Sequence, residues 1–332
     1  MYGFVSASMS ENFEHMQNLL DRTSNNYYYK SANSKKRLSR SALLWAAAGE
    51  YERIVQGVIG RNDIDANVED DDGDTPLLVA ARTGNAKVVE LLLQLGSHVG
   101  LNGTNIYMRQ GTRSLRNAVE EANSADVTEI LLRHGADLGK EYHEPSLLHL
   151  AAIKQNIRNI ENLIKYGFDP NIKSDIHRGR TPLAALVHSD CCYPQIPALD
   201  ILLKMGADLE SRNYDGRTIL LEAITIRKRK EVVIYLLQKG ANPNVVDGNG
   251  CNAPLYAIVK NVNTKSNRYF RHSIDGYLNR MSAEEDEALD IVNELLRKGA
   301  IKDRIDPCDG LTALQLARNK NLSKIAQILS RY

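Results

Sequence analysis

The chain has 332 residues, is 43% hydrophobic, and carries 42 Lys and Arg against 41 Asp and Glu for a net charge of +1. That balance excludes a global field for nucleic acid or an anionic membrane, so any such preference has to be local. No stretch approaches the ~18 uninterrupted apolar residues of a membrane span, and the opening MYGFVSASMS has neither the basic flank nor the apolar run of a secretory signal.

Along the chain, Ser8 and Glu11 suit a capping box, and Phe13, Met16, Leu19 and Leu20 then mark an amphipathic helix over 9–21. Residues 25–40, NNYYYKSANSKKRLSR, read as an exposed basic connector. Its KKRLSR fits a nuclear-import signal and a solvated linker equally. From Ser41 onward one grammar repeats. In TPLLVAARTGNAKVVELLLQLG, Thr75 caps a helix and Pro76 opens it. Leu77, Ala80 and Ala81 give a narrow face of small residues, Gly84-Asn85 breaks the helix, and a second apolar helix runs to Gly96. The same beginning returns at Ser41, Arg113, Ser146, Thr181, Thr218, Ala253 and Thr312, with successive gaps of 34, 38, 33, 35, 37, 35 and 59 residues.

A period near 33 residues, built as helix-turn-helix plus a glycine-led connector, resembles the ankyrin repeat. The motifs that carry the resemblance are TPLLVAARTGNAKVVELLL, SLLHLAA, HGADL, MGADL, KGANPN and the Asp-Gly pairs at 72–73, 215–216 and 309–310. Arg113 and Ala253 depart from it by replacing the capping threonine, and His149 is the only histidine in the Pro-Leu-His position. The resemblance implies an all-α ankyrin solenoid with β-hairpin fingers. It divides the chain into a cap helix and basic linker over 1–40 and a repeat array over 41–332, with about eight repeats. One hairpin cannot bury its apolar face alone, so stability is expected from neighbour interfaces.

Three segments exceed the repeat: 188–198, 96–111 and 261–286, the last adding about 25 residues between two helices of one repeat. None of the motifs points to an enzyme. His188 lies three residues before Cys191, but no family context supports a nucleophile there. The acidic EDDDGD at 69–74 fails the calcium-loop pattern because Val68 stands where its first Asp belongs. The cysteines, Cys191, Cys192, Cys251 and Cys308, include no C-x-x-C pair. That argues against a disulfide framework and a zinc knuckle, and for a reducing compartment. No cofactor or metal is expected.

The function expected from the resemblance is protein–protein recognition on the concave face and finger tips of a monomeric, cytoplasmic or nuclear scaffold. Asn, Lys, Tyr and Ile richness also admits a host-directed protein of an intracellular bacterium or virus. Expected contacts are the finger residues Asp70, Asp71, Asp72, Tyr107, Arg109, Tyr142, His143, Arg178 and Tyr214. An alternative is an anion-binding module for phosphoinositide or nucleic acid. It would use a basic edge of Arg227, Lys228, Arg229 and Lys230 with Lys265, Arg268 and Arg271, brought together because equivalent turns align. Asn171 and Asn244 hold the turn-asparagine position, where they are expected to cap finger turns; the family resemblance also permits their hydroxylation. His149 is expected to link neighbouring repeats by hydrogen bonds.

Overall fold

The structure is a computed structural model. It describes residues 43–44, 46–49, 52–59, 66–69, 74–94, 96–97, 116, 118–120, 124–136, 146–189, 195–225, 230–262 and 274–332. Fourteen helices are defined among the described residues: α1 (Glu52–Ile59), α2 (Pro76–Thr83), α3 (Ala86–Gln94), α4 (Ala125–Arg133), α5 (Leu147–Ile153), α6 (Ile157–Lys165), α7 (Pro182–His188), α8 (Ile196–Lys204), α9 (Ile219–Thr225), α10 (Lys230–Gln238), α11 (Pro254–Asn261), α12 (Ile274–Arg297), α13 (Ala313–Asn319) and α14 (Ser323–Arg331). None of them is long and apolar enough to cross a membrane.

The punctuation read from the sequence forms these helices. Thr75 accepts a hydrogen bond from the Leu78 amide at 3.2 Å, and Pro76 takes the first helical position of α2. Gly84, at φ 81°, ends it in the left-handed conformation that a side chain resists. Thr312 forms a complete capping box with Gln315 at the start of α13. Asn85, Ser124 and Asn156 cap α3, α4 and α6 through their own side chains.

Two compact units result, one drawing on residues 1–140 and 156–168, the other on 141–155 and 169–332. In the first, α2 packs on α3, α3 lies between α1 and α4, and α4 packs on α6. In the second, the short apolar helices α5, α7, α9, α11 and α13 stack in order, and α10, α12 and α14 form a second row. Leu77, Leu148, Leu183, Leu220 and Leu255, all in the first helices, are buried, as are Val88, Leu131, Leu163, Leu199 and Leu236 in the second. Each hairpin buries its apolar stripe only against its neighbours, which is why a single repeat is not a folding unit.

The second helices are also laced by charge. Glu52 pairs with Lys87 at 3.5 Å, Glu90 with Arg133 at 2.6 Å, and Asp126 with Arg158 at 2.7 Å. In the second unit Asp200 binds Lys239 at 2.7 Å, Asp286 binds Lys324 at 2.6 Å, and Lys230 pairs with Asp290. Lys204, Lys239 and Tyr235 together hold the Asp200 carboxyl well below the usual carboxylate range. The carboxylate is still partly open to solvent and adds little to stability, but the ladder engages the charges of that row with one another.

The expected β-hairpin fingers are not formed. Among the described residues there is no β-strand, and antiparallel pairing shrinks to single bridges, Ser174 with Arg180 and Ile305 with Thr312. The reason is local chemistry. The Asn213 side-chain oxygen accepts from the amides of Asp215 and Arg217, both at 2.9 Å, while its own amide donates to the Arg217 carbonyl. Asp247 does the same with Asn249 and Cys251. Side chains thus satisfy the amides that a strand ladder would otherwise pair.

The long insertion also has structure at its downstream end. From Ile274 the chain is helical and continues without a break into the second helix of its repeat, 24 residues in all. Glu285 and Asp286, inside the insertion as bounded from the sequence, therefore project from α12 toward the last hairpin.

Candidate partner-binding surface

In the second unit the connectors between hairpins meet tip to tip. The Tyr214 amide donates to the Arg178 carbonyl at 3.0 Å, and its hydroxyl donates to the Asp175 carboxylate. That bond raises the Tyr214 pKa. The ring lies against Gly179, where an added Cβ would sit 2.3 Å from it, so only glycine allows this contact. Arg178 reaches back to Asp215 at 3.1 Å. One step on, the Gly248 amide donates to the Asp215 carbonyl at 2.9 Å, and Arg212 spans the carbonyls of Gly216 and Val246. At the next step the Asn252 amide donates to Asp306 at 2.6 Å.

The last link is covalent: Cys251 and Cys308 form a disulfide. This corrects the expectation of free cysteines. Their separation is 57 residues, of which about 25 belong to the insertion, leaving one repeat. Local C-x-x-C spacing cannot detect such a pair, because the array brings together residues a full period apart. Asp306 offers a carboxylate oxygen beside the two sulfurs. With both sulfurs bonded to each other, neither is the thiolate that a metal would need.

Behind the tips runs a buried polar chain. The Arg180 Nε donates to both carboxylate oxygens of Glu222, at 2.8 and 2.9 Å, and Asn213 donates to the same carboxylate at 2.6 Å. The Arg180 carbonyl accepts from His149 Nε2 at 2.9 Å, which fixes the tautomer: Nε2 carries the proton, and Nδ1 accepts from the Ser146 hydroxyl at 2.7 Å. Ser146 consequently makes no side-chain cap on α5. Burial is the main cause that lowers the His149 pKa to about 4. His149 thus links neighbouring repeats as expected. Arg180 and Glu222 were missed; the signal was a lone acid inside the apolar run TILLEAIT.

Asn171 donates to the Gly206 carbonyl at 3.0 Å and accepts from the Asp208 amide at 2.6 Å. Asn244 makes the same pair of bonds with Gly299 and Ile301, at 2.9 and 2.8 Å. Both side chains therefore bridge to the following repeat, a longer reach than the finger-turn capping read from the sequence.

Of the expected contact residues, the structure brings Arg178 and Tyr214 together, with Tyr214 61% exposed. Asp70, Asp71, Asp72, Tyr107, Arg109, Tyr142 and His143 lie outside the described residues. So do Arg227, Lys228, Arg229, Lys265, Arg268 and Arg271 of the basic edge, the cap helix over 9–21, and Cys191. Lys230 is described, and its ammonium is engaged by Asp290. Ile176, missed by the sequence reading, is 53% exposed on the same tip as Arg178.

A family model for ankyrin repeats matches residues 4–103, 43–142 and 148–247. The chain belongs to the ankyrin-repeat family. It is 27% identical over 265 residues to human B-cell lymphoma 3 protein, covering 77% of this chain and 50% of that protein. It is 25% identical over 210 residues to human ankyrin repeat and SOCS box protein 6, covering 60% of this chain and 47% of that one. A Danio rerio neurogenic locus notch homolog protein 1 is 31% identical over 209 residues, 7% of its length. The chain spans about half the length of the two human relatives. The crystal structure of the Bcl-3 ankyrin repeat domain superposes with a TM-score of 0.56 at 24% identity, covering 77% of this chain and 99% of that one, a likeness of fold.

Proposed function

We propose that this ankyrin array is a non-catalytic scaffold that binds a partner protein through its connector tips and the adjacent groove. The observation that carries this reading is the exposed cluster of Tyr214, Ile176 and Arg178 on two tips that hold each other in place. Aromatic and arginine side chains dominate binding energy where they are already ordered, because little entropy is lost on contact. The charge ladder on the second helices points the same way, since those groups are engaged within the array.

The test is affinity purification from cytosol with the wild-type chain and a Tyr214→Ala, Arg178→Asn variant. Asparagine tolerates the positive φ of 57° at position 178. Loss of partners from a variant that still unfolds cooperatively, with its helical circular dichroism intact, supports the tips as the contact. An identical partner set from a well-folded variant removes them from the reading.

A further inference from the structure

Beside the tips lies a groove of about 250 Å³, walled by α9, α11 and the connector between α10 and α11. Its floor is apolar, formed by the buried side chains of Leu221 and Ala257. Its polar groups are unevenly committed. Asp247 is spent as an acceptor, taking the amides of Asn249 and Cys251 and the side chain of Asn252. The Thr225 hydroxyl donates to the Glu222 carbonyl at 2.9 Å. Arg217 makes no hydrogen bond or ion pair through its guanidinium among the described residues, and acts on the neighbouring Asp247 carboxylate only through its charge. Lys260 gives one ammonium hydrogen to Asp309 at 2.8 Å, leaving donors in hand. Asn252 and Asn261 use their side-chain nitrogens, on Asp247 and on the Ile224 carbonyl, and among the described residues their amide oxygens accept no hydrogen bond.

We infer that this groove is a subsite for an acidic side chain of a bound polypeptide, its carboxylate taken by Arg217 and Lys260. The chemistry selects that occupant. A planar carboxylate matches the guanidinium fork, and a point cation beside it completes the charge. The methylenes of an aspartate or glutamate suit the Leu221 and Ala257 floor. The amide oxygens of Asn252 and Asn261 accept from backbone N–H groups, which a free inorganic anion lacks. The volume exceeds that of one such side chain and leaves room for the adjoining main chain. A basic side chain would meet two cations and an aspartate already enclosed by donors.

This inference rests on the scaffold reading, and the experiment separates the two. A random dodecapeptide library is selected on the full chain, and affinities of the enriched peptides are measured by fluorescence anisotropy. The expected result is enrichment of peptides with a required Asp or Glu. Changing that residue to Asn or Gln weakens binding to the wild type by about tenfold. The same change has no further effect on an Arg217→Gln, Lys260→Gln variant, while Arg217→Lys, which keeps the charge and loses the fork, recovers only part of the affinity. Should the double variant fold poorly, the peptide substitution on the wild-type chain still decides. Peptides that bind equally well with and without the acid overturn the subsite and leave the scaffold standing. Failure to enrich any peptide overturns the subsite, while the scaffold reading stands or falls on the partners captured from cytosol.

Discussion

Arg180 and Glu222 face each other across two successive repeats with both carboxylate oxygens on one guanidinium nitrogen, at 2.8 and 2.9 Å and nearly out of water. A buried pair of this kind fixes register more than it adds stability. Removing one partner is different, because the other charge is left uncompensated. Glu222→Ala is expected to lower stability by about 3–5 kcal/mol, with Arg180→Met, Glu222→Leu recovering much of the loss. A double-mutant cycle in urea unfolding measures it; independent, additive losses would rule the coupling out.

His149 gives the array a pH dependence. Its folded pKa of about 4 lies below the unfolded value of 6.5, so between these values the unfolded chain holds a proton that the folded one lacks. Its contribution is full above pH 6.5 and is lost as pH falls toward 4, on the order of 3 kcal/mol in all. Burial lowers His177 in the same direction. The urea midpoint should fall between pH 7 and 5, and fall less in His149→Gln.

Asn159 is fully buried in α6, and among the described residues its side-chain oxygen and nitrogen have no hydrogen-bond partner. The equivalent positions in α3, α4 and α10 are Val88, Val127 and Val232, all buried. Asn159→Val should raise stability by about 1–3 kcal/mol by removing the unsatisfied groups. A lower melting temperature for this variant would reveal a partner for the amide.

The last hairpin borrows its caps. α14 has no side-chain cap of its own; instead Glu285 accepts from the amides of Lys324 and Ile325, at 2.9 and 3.3 Å. Lys320 closes the other end of the exchange, donating to the carbonyls of Val259, Lys260 and Val262 that end α11. Glu285→Ala should cost about 1 kcal/mol, and Lys320→Met about 1–3 kcal/mol. Hydrogen exchange should quicken at residues 323–331 in the first and at 259–262 in the second.

Two glycines with positive φ separate backbone strain from close approach. Gly135, at φ 81°, has open space where a Cβ would go, whereas a Cβ on Gly216 would meet the Gly248 nitrogen at 2.4 Å. Gly135→Ala should cost about 1 kcal/mol from backbone conformation alone, and Gly216→Ala clearly more. Equal midpoints for the two would show that the tips yield.

The repeat itself was legible because capping threonines, glycine stops and apolar stripes recur at a fixed period, and each encodes structure within a few residues. The connectors were not. Whether Asn213 and Asp247 close their turns by side chain, or leave the amides to a strand, depends on rotamers the pattern does not record. Arg180–Glu222, Cys251–Cys308 and Lys320 with its three carbonyls all join residues a repeat or more apart. Finding them requires the register of the stack, which the insertion obscures for the last two repeats. His149 was readable because its partners occupy fixed places in the motif.

The charge ladder makes the order of the hairpins matter. α8 offers the acid Asp200 to Lys239, just past the end of α10, and α10 offers the base Lys230 to α12, so this hairpin is basic toward both neighbours. α12 answers with Asp290 on one side and Asp286 on the other, and is acidic toward both. Each bond is weak, yet a hairpin moved to another place in the row would set acid against acid or base against base. The hairpins are alike in shape but carry distinct addresses, so a shuffled array built from the same pieces would fit by volume and mismatch by charge.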